Sequence, residues 1–103
     1  MSMQVIDTEL MQKVSAKEVK PIPLYQSENL LISLLCLEVN QIVGPCTMTN
    51  QVIYLMLSGK GELIVTGEER QFLNSGSLIV IPAGVERMLL AKEQSRVLTI
   101  QSS

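Results

Sequence analysis

From residue 29 onward the chain consists of short apolar runs separated by turn-forming residues. Glycine, proline and asparagine recur every eight to ten residues, for example at Gly44-Pro45, Gly76 and Gly84. The runs between them are too short for helices, so the pattern predicts an all-β sandwich or barrel. The predicted strands are Leu30 to Val39, Thr47 to Leu57, Glu62 to Thr66, Arg70 to Leu73, Leu78 to Ile81, Arg87 to Ala91 and Arg96 to Gln101.

The first 28 residues are more polar than the rest of the chain. Asp7 is placed to cap a short helical turn through about Lys13, and Pro21 and Pro23 favour extended backbone after it. We therefore expect an N-terminal arm over residues 1–28 and a single domain over residues 29–103. A length of 103 residues is enough for one hydrophobic core and does not call for a second domain.

Two of the predicted strands are apolar on both faces. In Leu30 to Leu37 and in Val52 to Leu57, the alternate positions that a solvated face would make polar are almost all apolar as well. Something must cover the second face, and no predicted helix is left to do so. We predict a homodimer in which a second copy covers this sheet, the alternative being that the arm folds over its own sheet.

Composition and charge exclude several classes of function. The chain has no histidine, which excludes His-dependent acid–base catalysis and His-containing metal centres. The net charge of -2 comes from scattered residues, so we expect no nucleic-acid partner and no membrane partner. Because no apolar secretory segment opens the chain, Cys36 and Cys46 are expected to be free thiols in a cytoplasmic protein.

The segment from Gly76 to Arg87 carries a family motif. Gly76, Pro82 and Gly84 match the second motif of the cupin superfamily, G-x5-P-x-G-x2-H-x3-N, in identity and spacing. The first motif, G-x5-H-x-H-x3-E-x6-G, fits residues 40–59 without gaps: Gly59 matches, and Asn40 replaces the leading glycine with a residue that tolerates left-handed backbone. Over about residues 30–101 the chain therefore resembles a small cupin. The resemblance implies a double-stranded β-helix, or jelly-roll barrel.

The resemblance also implies that the usual metal ligands are replaced. Metal-binding cupins use three histidines and a glutamate, and the aligned positions here are Cys46, Met48, Val52 and Arg87. If Cys46 and Met48 share one strand face, a soft Cu(I) site is one alternative. Valine cannot bind a metal, however, and an arginine places a positive charge beside it. We expect no metal and no other cofactor, with Cys46 and Met48 as adaptable core side chains.

Arg87 is the most informative of these replacements. A buried arginine needs a carboxylate, a set of carbonyl groups or a bound anion. One explanation is an ion pair with Glu38, Glu62 or Glu86, and another is a side chain that reaches solvent at the barrel mouth. The functional explanation is a small-molecule pocket in which Arg87 binds a carboxylate or phosphate and the walls are Cys46, Met48, Val52, Tyr54 and Met56.

Three functions follow as hypotheses. The first is a metal-free binding or sensing module for a small metabolite, with Arg87 favouring an anionic one. The second is a metal-independent enzyme of the isomerase or lyase type, in which Arg87 stabilises charge and Tyr54, Cys46 or Glu62 transfers a proton. The third is a structural dimerisation domain with a filled barrel.

The glycine-rich segment Gly59-Lys60-Gly61 is not predicted to be a phosphate-binding loop, because no helix is predicted after it.

Overall fold

The described residues of the chain fold into nine β-strands that form two sheets. A computed structural model describes residues 3–8, 19–65 and 69–102. The strands are β1 (Ile22–Gln26), β2 (Leu30–Leu37), β3 (Ile42–Cys46), β4 (Val52–Ser58), β5 (Gly61–Val65), β6 (Glu69–Leu73), β7 (Leu78–Ile81), β8 (Arg87–Ala91) and β9 (Ser95–Ser102). No helix in these parts of the chain is long and apolar enough to cross a membrane.

The two sheets have interleaved strand orders. The five-stranded sheet has the order β1-β2-β9-β4-β7 and the four-stranded sheet has the order β3-β8-β5-β6, with all the neighbouring pairs antiparallel. The described strands do not close into a single hydrogen-bonded barrel. The chain thus forms a jelly-roll-like double-stranded β-helix, which confirms the predicted all-β fold class.

The core lies between the two sheets, in a space that we call the interior. Along β4 and β8, burial alternates from one residue to the next, because successive strand side chains point to opposite faces. Leu35 and Val97 of one sheet meet Leu63 and Leu89 of the other in one buried cluster, and all four are at most 3% exposed. Burial of these large aliphatic side chains is the main favourable contribution to folding.

The structure agrees with most predicted strands and corrects others. β7 and β8 have the predicted bounds, whereas β1 and β3 were not predicted as strands at all. β1 lies in the segment assigned to the arm and pairs with β2. The prediction of a strand from Thr47 was wrong at its beginning, because residues 47–51 form a loop before β4. The helical turn expected after Asp7 falls mostly on residues 9–18, outside the described residues.

A bulge in β3 explains why that strand was not predicted. Val43 pairs with Leu89 and Cys46 with Arg87, so three steps along β3 match two along β8. Gly44, within the bulge, has a φ of 103°, and a Cβ there would lie 2.7 Å from the carbonyl oxygen of Arg87. Glycine is therefore required at this position by both its backbone angle and its close approach to β8.

The outer face of the five-stranded sheet is apolar, as the sequence predicted for β2 and β4. On this face Leu34 and Cys36 are at most 3% exposed, whereas Leu78 and Val80 on the edge strand β7 are 58% and 48% exposed. Part of the N-terminal segment reaches this face, because Arg96 Nη1 donates a 2.6 Å hydrogen bond to the carbonyl oxygen of Thr8. The described part of the arm therefore contacts the sheet near Arg96 and leaves Leu78 and Val80 on β7 exposed.

Candidate functional site

Strand β4 presents three of the predicted pocket residues to the interior. Val52, Tyr54 and Met56 lie at alternate positions and are 1%, 4% and 1% exposed. All three belong to the buried core cluster. The period of two along a strand is sufficient to place them on one face, as the sequence predicted.

Arg87 enters the interior from the opposite sheet. It begins β8, two residues before the buried core residue Leu89, and only 2% of its surface is exposed. Its Nη1 donates to the carbonyl oxygen of Cys46 at 3.3 Å, and its Nη2 donates to the hydroxyl of Tyr54 at 3.4 Å. The guanidinium carbon also lies 5.8 Å from the centroid of the Tyr54 ring, within the range of a cation–π contact.

The charge of Arg87 has no carboxylate counterpart within the described parts of the chain. No ion pair to Arg87 occurs there, and its buried Nε has no hydrogen-bond partner. The predicted ion pair with Glu62 was wrong, because Glu62 pairs with Arg70 and Lys92 instead. The alternative that Arg87 reaches solvent was also wrong, since its side chain is buried.

Glu62 lies on the opposite side of the four-stranded sheet from Arg87. Its neighbour Leu63 belongs to the interior cluster, so Glu62 points to the outer face, where it pairs across strands with Phe72 and Leu90. The hypothesis that Glu62 transfers a proton beside Arg87 is therefore wrong, because the two side chains lie on opposite faces of the sheet. Tyr54 remains within hydrogen-bond distance of Arg87.

Cys46 and Met48 are both near the site, but they do not share a strand face. Cys46 ends β3 beside Arg87, and Met48 lies in the following loop, where its carbonyl oxygen accepts a 2.9 Å hydrogen bond from the Gly84 amide. The Met48 side chain packs against the core cluster. The predicted i, i+2 relation on one strand was wrong because the strand ends at Cys46.

Three further polar residues on the same interior face were not predicted from the sequence. Ser33 pairs with Thr99, and Thr99 pairs with Tyr54, so three hydroxyl side chains form a row across β2, β9 and β4. Gln101 follows on β9, opposite Val52. The available signal was the interruption of apolar runs by Ser33 and Thr99, but only the strand register shows that they adjoin Tyr54.

With this geometry in view, the chain can be compared with known proteins. No family model and no curated protein matches the sequence. Solved structures do match: an RmlC-like cupin protein from Desulfovibrio desulfuricans superposes with a TM-score of 0.90 at 16% identity, covering 98% of this chain and 97% of that one. The chain has the cupin fold. At such identity the likeness is one of fold, and it confirms the predicted jelly-roll fold.

Two other cupin-fold neighbours extend the comparison. A protein from Thermus thermophilus has a TM-score of 0.85 at 24% identity, over 97% of both chains. KdgF from Halomonas sp. has a TM-score of 0.80 at 18% identity, over 94% of this chain and 91% of that one. Another neighbour, from Streptococcus pyogenes, is described as a conserved protein of unknown function.

The residues that the motif resemblance aligns with cupin metal ligands form no ligand set in the described parts of the chain. At the four ligand positions stand Cys46, Met48, Val52 and Arg87, and the Arg87 guanidinium is buried in the interior beside Cys46. Within the described ranges, no three His, Cys, Asp or Glu side chains converge as metal ligands would. A fixed positive charge and a valine in the ligand set disfavour cation binding.

Proposed function

We propose that this cupin-fold chain is a binding or sensing module for a small anionic metabolite held by Arg87. The observation that carries the proposal is a guanidinium that is 2% exposed, has an unpartnered Nε and has no carboxylate at ion-pair distance among the described residues. Removing an ion from water costs several kcal/mol, and an opposite charge offsets that cost. A bound anion supplies this opposite charge.

The hydrogen bonds of Arg87 leave a suitable edge for an anion. A guanidinium has five N–H donors, and here Nη1 and Nη2 each use one, toward Cys46 and Tyr54. The free Nε–H is parallel to one N–H of the adjacent terminal nitrogen. This side-on fork matches the two oxygens of a carboxylate or phosphate.

Methionines beside the site provide a way to make room for a ligand. Arg87 Nε is covered, so a ligand needs a neighbouring side chain to move. Met56 lies in the buried core cluster that includes Tyr54, and Met48 packs against it from the loop. Unbranched methionine side chains adopt alternative rotamers at low cost, which suits a pocket that opens on binding.

The proposal is tested by isothermal titration with inorganic phosphate, pyruvate and gluconate at low salt. We expect at least one of these anions to bind, and to bind at least about tenfold more weakly to Arg87→Met, which loses a charge-assisted hydrogen-bond pair. The matched control is Arg70→Met, which removes an exposed arginine from the outer face and should bind as the original protein does. Absence of binding, or equal binding by Arg87→Met, overturns the proposal and favours a purely structural domain.

The enzyme alternative rests on the 3.4 Å contact between the Arg87 guanidinium and the Tyr54 hydroxyl. In this alternative Tyr54 transfers a proton while Arg87 stabilises the charge that develops on the substrate. Proton NMR of pyruvate or gluconate incubated with the protein tests this alternative. A product that forms with the original protein and is absent with Tyr54→Phe supports an enzyme; unchanged spectra support a binding module.

We also propose that the protein is a cytoplasmic homodimer. Support for the dimer comes from the apolar outer face of the five-stranded sheet, where Leu78 and Val80 are 58% and 48% exposed. Sedimentation should show a dimer that Leu78→Lys with Val80→Lys converts to a monomer. Phe72→Lys, which changes a 72% exposed residue on the other sheet, is the control and should remain dimeric. Cys36 and Cys46 both lie in the described ranges and form no disulfide, which supports the proposed cytoplasmic location.

A further inference from the structure

Polar residues of the interior lie in a band that leads away from Arg87. The band begins with the hydroxyl row of Ser33, Thr99 and Tyr54, which are 5%, 5% and 4% exposed. The Thr99 hydroxyl donates to the Ser33 carbonyl oxygen at 3.4 Å, and the Tyr54 hydroxyl accepts from Arg87. Of the three hydroxyl groups, that of Tyr54 contacts the buried cation, and the other two continue the row across the sheet.

The band continues to a hollow at the end of the five-stranded sheet. This hollow has a volume of about 170 Å³, and Gln26, Leu31, Asn50 and Gln101 are among its lining residues. Gln26 pairs with Leu31, and Leu31 with Gln101, which in turn pairs with Val52. The register thus places Leu31 and Gln101, which line the hollow, two residues from the Tyr54 level on the interior face, a distance of about 7 Å along the strands.

The charges along the band limit the class of ligand. Arg87 is a single cation, so it balances one negative charge and leaves a dianion partly uncompensated in the interior. The hollow at the other end of the band is lined by no described lysine or arginine that would balance a second negative charge. The amides of Gln26, Asn50 and Gln101 instead match neutral groups that both donate and accept hydrogen bonds.

We infer that the anion held by Arg87 is a small monocarboxylic acid that carries neutral hydroxyl or amide groups. Its carboxylate binds the free edge of Arg87, and its neutral groups extend past Thr99 toward Gln101 and the hollow. This inference rests on the proposed function, because it specifies the ligand of the same site. It excludes two other kinds of anion, phosphate dianions and simple fatty acids.

A comparison of two six-carbon acids tests the inference without any variant. Gluconate carries hydroxyl groups along its length, and hexanoate has the same chain length without them. We expect gluconate to bind at least about tenfold more tightly than hexanoate, since each hydrogen bond contributes a few-fold, and more tightly than inorganic phosphate. Hexanoate or phosphate binding more tightly in an Arg87-dependent way overturns this inference and keeps the proposed function. No binding by any of the three overturns this inference, and the absence of pyruvate binding as well overturns the proposed function.

Gln101→Leu tests the direction in which the ligand lies. The substitution should weaken gluconate binding about fivefold and leave hexanoate binding within about twofold, because it removes hydrogen bonds only from the hydroxylated end. Gln94→Leu, in the exposed turn before β9, is the control and should change neither affinity. Thermal unfolding of each variant checks that the fold is intact. Equal weakening of both acids, or of neither, overturns the proposed orientation.

Discussion

Two charged side chains are buried in the four-stranded sheet, one on each face, and their surroundings differ. Glu62, on the outer face of β5, is 2% exposed and accepts a 3.1 Å contact from Arg70 and a 3.4 Å contact from Lys92. Arg87, on the inner face of β8, is equally buried, and its polar contacts are one carbonyl oxygen and one hydroxyl. The two side chains are therefore equally buried, but only the charge of Glu62 is compensated by charged partners among the described residues.

The difference separates a charge that is neutralised within the chain from one that, under the proposed function, binds a ligand. Glu62 is neutralised within the chain, so its burial needs no ligand. Arg87 is left with an uncompensated charge and an unpartnered Nε, which a folding domain does not require for its own stability. Sites that bind ligands commonly give up stability in this way. The following predictions test this distinction, from the largest expected effect to the smallest.

Removing both cations that contact Glu62 should leave its buried charge without a counter-charge, as the charge of Arg87 is. We expect Arg70→Met with Lys92→Met to lower the free energy of unfolding by about 3 kcal/mol, because a buried carboxylate is then left without a counter-charge. Urea unfolding at neutral pH and fixed protein concentration measures the change. Adding Glu62→Leu to the double variant should restore most of the loss. A double variant as stable as the original protein would contradict the structural role of Glu62.

Changing the bulge in β3, the strand that lies beside Arg87, should have the next largest effect on the free energy of unfolding. Gly44→Ala is expected to lower the free energy of unfolding by about 2 kcal/mol, from a strained left-handed φ and a Cβ too close to the Arg87 carbonyl. Gly76→Ala is the matched control, since its φ of 91° is similar but nothing lies within 4 Å of the added Cβ. If both variants lose the same free energy, close packing against β8 is not what requires Gly44.

Replacing Arg87 itself should affect stability in the opposite direction. We expect Arg87→Met to raise the free energy of unfolding by about 1 kcal/mol, because the relief of a buried charge outweighs the loss of its two hydrogen bonds. The same urea titration measures this, without ligand. A loss of more than about 1 kcal/mol would show that Arg87 is a structural residue like Glu62.

An exposed ion pair should contribute least to the free energy of unfolding. Lys60 Nζ and Glu93 Oε2 are 3.9 Å apart, and both side chains are more than half exposed. Glu93→Gln is expected to change the free energy of unfolding by less than about 0.5 kcal/mol, because water screens the pair. Comparing unfolding in low and high salt checks this, since any small effect should vanish in salt. A larger change in the free energy of unfolding would mean that exposure does not explain why the Lys60–Glu93 pair contributes less than the contacts of Glu62.

The strands that the sequence predicted are those bounded by turn residues. β7 and β8 lie between Gly76, Pro82 and Gly84 and have the expected bounds. The sequence did not predict β1 and β3, because Pro23 and Gly44-Pro45 normally interrupt strands. Both strands lie at sheet edges, where a missing N–H or a bulge is tolerated. A position at the edge depends on strand order, which local pattern does not specify.

The candidate site was predictable only in part. Arg87 was identified from a motif position, and Tyr54 from its alternation with Val52 and Met56 on β4. Ser33, Thr99 and Gln101 were missed because they reach the site through pairing with distant strands: the Ser33–Thr99 pair alone spans 66 positions. Their place beside Tyr54 depends on register, and a shift of one residue would turn them to the other face.

By itself the sequence determined the all-β class, the cupin motifs and the absence of any imidazole from the ligand positions, because these are properties of residue type and spacing. The tertiary structure decided which buried charge has a partner. Glu62 and Arg87 have the same burial, and both were candidates to pair with each other. The pleat of the four-stranded sheet places them on opposite faces, and only the folded sheets bring Arg70 and Lys92 to one and a row of hydroxyl groups to the other.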